Sequence, residues 1–143
     1  NKLKYICQQE LRLEDIPKVY INVGKITQIF TNLLINAGQA IESTGKQGQI
    51  IVKSWHEGDY VHISVTDSGS GIKQEHLDKL FHPFFTTKPE GQGTGLGLSI
   101  SLGIAEEHGG ELKVASKEGV GSTFTLSLPT TGPEDEQEPE SDC

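Results

Sequence analysis

The chain has 143 residues, 34% hydrophobic and 22% charged, the balance of a one-domain globular protein with a core of its own. No stretch approaches the ~20 consecutive apolar residues that a membrane-spanning helix needs. Most of the net charge of −8 belongs to residues 130–143, which hold six of the 20 acidic side chains and no basic one, so the rest is nearly neutral and carries no basic, aromatic-studded patch of the kind that binds nucleic acid.

In chain order, "QELRLEDIPKVYIN" predicts two short extended segments broken at Pro17. From 25 to about 42 the apolar residues Ile26, Ile29, Phe30, Leu33, Ala37, Ala40 and Ile41 recur at steps of three and four, which predicts a helix. "TGKQGQ" is a turn. "IIVKSWHEGDYVHISVTD" alternates around "EGD" and predicts a hairpin ending at Asp67. A short helix over about 74–80 follows, then the aperiodic "FHPFFTTKPEGQG". A second long helix spans about 96–108 and stops at Gly109-Gly110. "ELKVAS" and "GSTFTLSLP" close the domain at 129 as a hairpin around "KEGVG". The Pro-, Glu- and Ser-rich tail 130–143 is expected to be disordered. Strands and helices alternate irregularly, so the expected class is α+β. Cys7 and Cys143 stand at opposite ends without metal-ligand spacing and suggest free thiols in a reducing, cytoplasmic setting.

Three stretches carry candidate chemistry. In "QIFTNLLINAGQAI" (28–41), Gln28, Asn32, Asn36 and Gln39 fall within about 80° of one another on the helix. A polar edge facing solvent would explain them. So would an oxygen site for Mg²⁺, which takes amide carbonyls beside phosphates and keeps several waters. In "VTDSGSGI", Asp67 ends a strand ahead of Gly69 and Gly71. This is either a plain turn or a carboxylate that accepts a hydrogen bond from an exocyclic amine, with Ile72 in apolar contact. Third, "GQGTGLGLSI" feeds a helix N-terminus, where N–H groups and the helix dipole suit an anion. It matches neither G-x-G-x-x-G nor G-x-x-x-x-G-K-[ST]. "TTK" upstream (Thr86, Thr87, Lys88) offers two hydroxyls and one cation.

Taken in order, the asparagine helix, D-x-G-x-G, "FHPFFTTK" and "GTGLGL" resemble the ATP-binding catalytic domain of bacterial sensor histidine kinases, over about residues 5–129. The "HPFFTTK" form resembles the nitrogen-regulation-like branch. The resemblance implies a Bergerat-type two-layer α/β sandwich, with a mixed, mostly antiparallel sheet under about three helices, and ATP and Mg²⁺ as ligands. It implies Asn36 as principal Mg²⁺ ligand with Asn32 supporting it, and both, with Lys88, as the residues closest to the chemistry. Asp67 would take the adenine amine, with Gly69, Gly71 and Ile72 shaping the base pocket. The phosphates would be held by Gly93, Thr94, Gly95, Leu96, Gly97 and Leu98, with Thr86, Thr87 and Lys88 in a lid and Gln39 and Ala40 on the helix. Ser122 or Thr123 would give a water-mediated contact to the base; Thr123 is the one carried into the candidate set.

Many relatives have Lys or Arg where Gln39 stands, so Lys88 would be the main cation near the phosphates. None of His56, His62, His76, His82 and His108 has the family's acceptor-helix context. The resemblance therefore implies a phosphoaccepting dimerisation domain upstream of Asn1, a response regulator as partner, and no direct membrane contact. The parent protein would be a homodimer and this chain alone a monomer, unable to phosphorylate itself. Water-activating relatives carry Glu four residues before the Mg²⁺-binding asparagine. Here that position is Asn32, which cannot take a proton. A binding module without transfer, or an anti-sigma serine kinase, are the remaining alternatives.

Overall fold

The computed structural model describes residues 7–13, 16, 19–86 and 96–130. Five strands form one sheet: β1 (Cys7–Leu13), β2 (Gly48–Glu57), β3 (Tyr60–Asp67), β4 (Glu111–Lys117) and β5 (Gly121–Pro129), in the order β1-β2-β3-β5-β4. Only β1 and β2 run parallel; the other three pairs are antiparallel. Three helices accompany the sheet: α1 (Val23–Glu42), the one-turn α2 (Gln74–Leu77) and α3 (Gly97–Glu107). Among the described residues, no helix is long and apolar enough to cross a membrane.

The long helices form where the periodicity of the sequence places them. Asn22 caps α1, its Oδ1 accepting from the Lys25 N–H at 3.0 Å, so the helix starts two residues ahead of the expected position. Val19–Asn22 is therefore the lead-in to this cap, not the second extended segment anticipated from the sequence. Ile26, Ile29, Leu33, Ala37 and Ile41 bury one face of α1. That stripe packs on Ile50, Val61, Val65, Phe124, Leu126 and Leu128 from the sheet and on Ile104 and Ala105 from α3. α3 ends as its two glycines require: Gly109, at φ +75°, and Gly110 donate to the carbonyls of Glu106 and Ala105.

The β1–α1–β2 crossover is the one parallel unit, and its pairing partners lie some forty residues apart, beyond the reach of local pattern. The short helix stops at Leu77 rather than near 80, with turns taking the chain on to Phe81. At the other end of α3, His108 joins the helices. Its Nδ1–H donates to the Ile104 carbonyl (2.8 Å) and its Nε2 accepts from the Asn22 N–H (3.0 Å), tying the end of α3 to the start of α1. The layered arrangement leaves one end of the sheet, where β3 stops and β5 begins, facing the C-terminal half of α1 and the start of α3.

Candidate functional site

Asp67 is the last residue of β3 and sits opposite Ser122 in the β3–β5 register, so the two side chains share the helix-covered face. Asp67 is only 5% exposed. Its carboxylate accepts from the N–H of Gly69 (2.8 Å) and from the N–H of Ser122. Burial nevertheless wins over these two hydrogen bonds and pushes its pKa up to about 6. When ionised, this carboxylate is an acceptor only.

The loop after Asp67 is tied down on both sides. Ser70 donates its N–H to the Ala40 carbonyl (3.1 Å) and accepts at its own carbonyl from Gly119 (2.7 Å). Ser68 exchanges two hydrogen bonds with Gln49. The glycines here also have a structural cause. A Cβ on Gly69 would lie 2.6 Å from the Ala40 carbonyl carbon, and one on Gly71, at φ +73°, would lie 2.2 Å from the Lys117 carbonyl oxygen. They let the chain approach itself: the loop is wedged between α1 and the β4–β5 turn. Ala40 thus serves as a backbone acceptor for this loop. Ile72, half-buried against the core, donates its N–H to Ser116 Oγ at 2.8 Å.

The pleat puts Ser122 and Thr123 on opposite faces of the sheet. Thr123 lies on the far face of the sheet from Asp67, with its Oγ1 2.9 Å from that of Thr66. Ser122 is the residue beside Asp67, and it is buried. Adjacent strand residues point to opposite sides, so Ser122 and not Thr123 shares the face of Asp67.

On α1, Asn32, Asn36 and Gln39 are all half-buried, while Gln28 is exposed. Asn32 Nδ2 donates to the Gly97 carbonyl (3.2 Å) and to Ser101 Oγ (3.1 Å). Its NH₂ therefore clamps the first turns of α3. Asn36 lies one turn further along the same stripe. The start of α3 has Leu96 at its N-cap, with no side-chain cap hydrogen bond among the described residues; Gly97 and Leu98 are half-buried there. Thr86 is exposed at the end of the described stretch 19–86. Thr87, Lys88, Gly93, Thr94 and Gly95 lie outside the described residues, as does the tail beyond 130.

Ser116, near the end of β4, is the residue that sequence reading missed. It stands opposite Ser122 and joins three segments through one hydroxyl. Nothing in the sequence marks it, because a serine near a strand end is ordinary until its partners are known.

The family described as histidine kinase-, DNA gyrase B-, and HSP90-like ATPase matches residues 22–132. The chain is 50% identical over 116 residues to the sensor histidine kinase ZraS of Escherichia coli (strain K12), an alignment covering 81% of this chain and 24% of that protein. It is 40% identical over 117 residues to sporulation kinase E of Bacillus subtilis (strain 168), covering 82% of this chain and 15% of the relative. The chain thus spans a quarter or less of these relatives. Among solved structures, the nucleotide-free catalytic domain of histidine kinase ThkA superimposes with a TM-score of 0.78 at 36% identity, over 91% of this chain and 84% of that one.

Proposed function

The chain belongs to the histidine kinase-, DNA gyrase B- and HSP90-like ATPase family, and we propose that it binds Mg-ATP and donates the γ-phosphate to a histidine of a separate dimerisation domain. ATP binding follows from the family. The transfer step, the metal and the partners are the proposal. The observation that carries it is Asp67: an acceptor-only carboxylate, buried at a strand end and rimmed by backbone N–H groups, on the same side of the sheet as the start of α3. The first suits an adenine amine; the second suits a phosphate chain.

In this reading Asp67, Gly69, Gly71, Ile72 and Ser122 hold the base. The N–H groups of Gly93, Gly95, Leu96 and Gly97 hold the phosphates with Thr94 and Leu98 beside them, and Thr86, Thr87 and Lys88 close over them. Asn36 supplies an amide oxygen for Mg²⁺. The fit is chemical: the described residues contain no cluster of three or more His, Cys, Asp or Glu, and a single amide oxygen suits a cation that keeps most of its waters and shares phosphate oxygens. Bound there, Mg²⁺ would neutralise charge on the phosphates. Asn32, four residues before Asn36, has its NH₂ committed to α3 and cannot act as a base towards water, which argues against hydrolysis. The accepting histidine, its base and the response regulator lie in partners.

The test is calorimetric titration of the chain with ATP, with and without Mg²⁺, repeated on Asn36→Ala. The expected result is tighter binding with Mg²⁺ in the wild type and loss of that increment in the variant, with ATP hydrolysis at background. Retention of the full Mg²⁺ increment in Asn36→Ala would remove Asn36 from the metal role.

A further inference from the structure

We infer that Ser116 is a specificity-positioning residue, fixing the Ser122 hydroxyl as an acceptor so that the base site favours an amino-bearing purine over an oxo-purine. This rests on the reading of Asp67 and Ser122 as the base-recognising pair.

The argument is a count of protons. Ser116 Oγ has three neighbours: the Ile72 N–H at 2.8 Å, the Gly121 carbonyl at 3.0 Å and Ser122 Oγ at 2.8 Å. A serine hydroxyl has one proton and two lone pairs. The Gly121 carbonyl can only accept, so the Ser116 proton goes to it. The Ile72 N–H can only donate, so it occupies one lone pair. The remaining lone pair receives the proton of Ser122. All three contacts are satisfied in this one arrangement and in no other.

Ser122 is consequently left with lone pairs only. Its neighbour across the β3–β5 ladder is Asp67, whose carboxylate is likewise an acceptor. Two adjacent acceptors present one polarity: they welcome an exocyclic N–H₂, or a water that donates to them, and oppose a carbonyl oxygen in the same place. Asp67 alone would give a preference; Ser116 removes the rotation by which Ser122 could turn donor and accommodate the wrong base. Both serines are held by the backbone, Ser122 by its own N–H to Asp67 and Ser116 by the Gly71–Lys117 approach beside it, so the relay has little freedom to reorganise.

The experiment measures dissociation constants of the full chain for ATP and for inosine triphosphate, with Mg²⁺, in wild type, Ser116→Ala, Ser122→Ala and the double variant. Losing one oriented hydroxyl corresponds to about one hydrogen bond, so the ATP-over-ITP ratio should fall about fivefold in Ser116→Ala. Ser122→Ala should narrow it by a similar factor, and Ser116→Ala should then narrow it no further in the double variant. A purely structural Ser116 would weaken both nucleotides equally and leave the ratio unchanged, which overturns the inference. If Ser116→Ala does not fold, an unaltered ratio in Ser122→Ala overturns it alone. A wild-type chain that binds ATP no better than ITP would sink the base-pair reading itself, and this inference with it.

Discussion

Asp67→Asn should make the free chain more stable at neutral pH. The folded carboxyl titrates at about 6 against 3.8 for an exposed aspartate, so in the folded chain the ionised form is held under strain by burial. The folded state binds the proton more tightly than the unfolded state, so this residue's contribution to stability is largest below pH 4 and is lost as pH rises through 6. Above that it is a penalty of about 3 kcal/mol, from 1.36 kcal/mol per pKa unit. Asparagine carries no charge and escapes it, but turns one N–H₂ towards the donors that Asp67 now accepts from, Gly69 and Ser122. Losing one hydrogen bond to a charged acceptor costs about 1.5 kcal/mol. The net expectation is a gain of about 1–2 kcal/mol at pH 7.5, turning into a loss of about 1 kcal/mol near pH 4 where only the lost hydrogen bond remains, read as a shift in urea midpoint at constant slope. A variant no more stable than wild type at pH 7.5, or a gap that does not change between pH 7.5 and 4, would refute the reasoning. The same variant should lose adenine-nucleotide affinity, so stability and binding should move in opposite directions.

Gly71→Ala should destabilise by about 3 kcal/mol or more, through a left-handed backbone and a Cβ 2.2 Å from the Lys117 carbonyl, measured by urea unfolding; a change under 1 kcal/mol would mean the loop is not wedged. His108→Ala should cost about 1–2 kcal/mol by removing an acceptor from the Asn22 N–H and a donor from the Ile104 carbonyl, with ATP affinity nearly unchanged because the join lies at the far end of both helices. Asn32→Ala should weaken nucleotide binding without abolishing the Mg²⁺ increment, since its NH₂ clamps α3 at Gly97 and Ser101; loss of that increment would place Asn32 in the ligand set.

The local elements were legible because their causes are local. α1 follows from apolar spacing, the hairpins from alternation around two glycine turns, and the stop of α3 from a glycine pair. The ligand class was legible because asparagines in a greasy helix, an Asp before two glycines and a glycine-rich helix entrance are each unusual, and their order more so. What was not legible was which atom meets which. Gly69 and Gly71 look the same in sequence whether they make room for a base or for Ala40 and Lys117. Asn32 and Asn36 share one stripe, but only the packing of α3 shows that Asn32 is already engaged.

By itself the sequence determined the elements, the family and the chemical types available at one end of the sheet, because propensity, periodicity and residue type act over a few neighbours along the chain. Only the tertiary structure decided the parallel pairing of β1 with β2, the face that separates Ser122 from Thr123, and the set of neighbours around the Ser116 hydroxyl. The first depends on contacts between residues some forty apart along the chain, the second on which side of a strand a residue faces, and the third on a hydroxyl's neighbours, since its role as donor or acceptor exists only once they are in place.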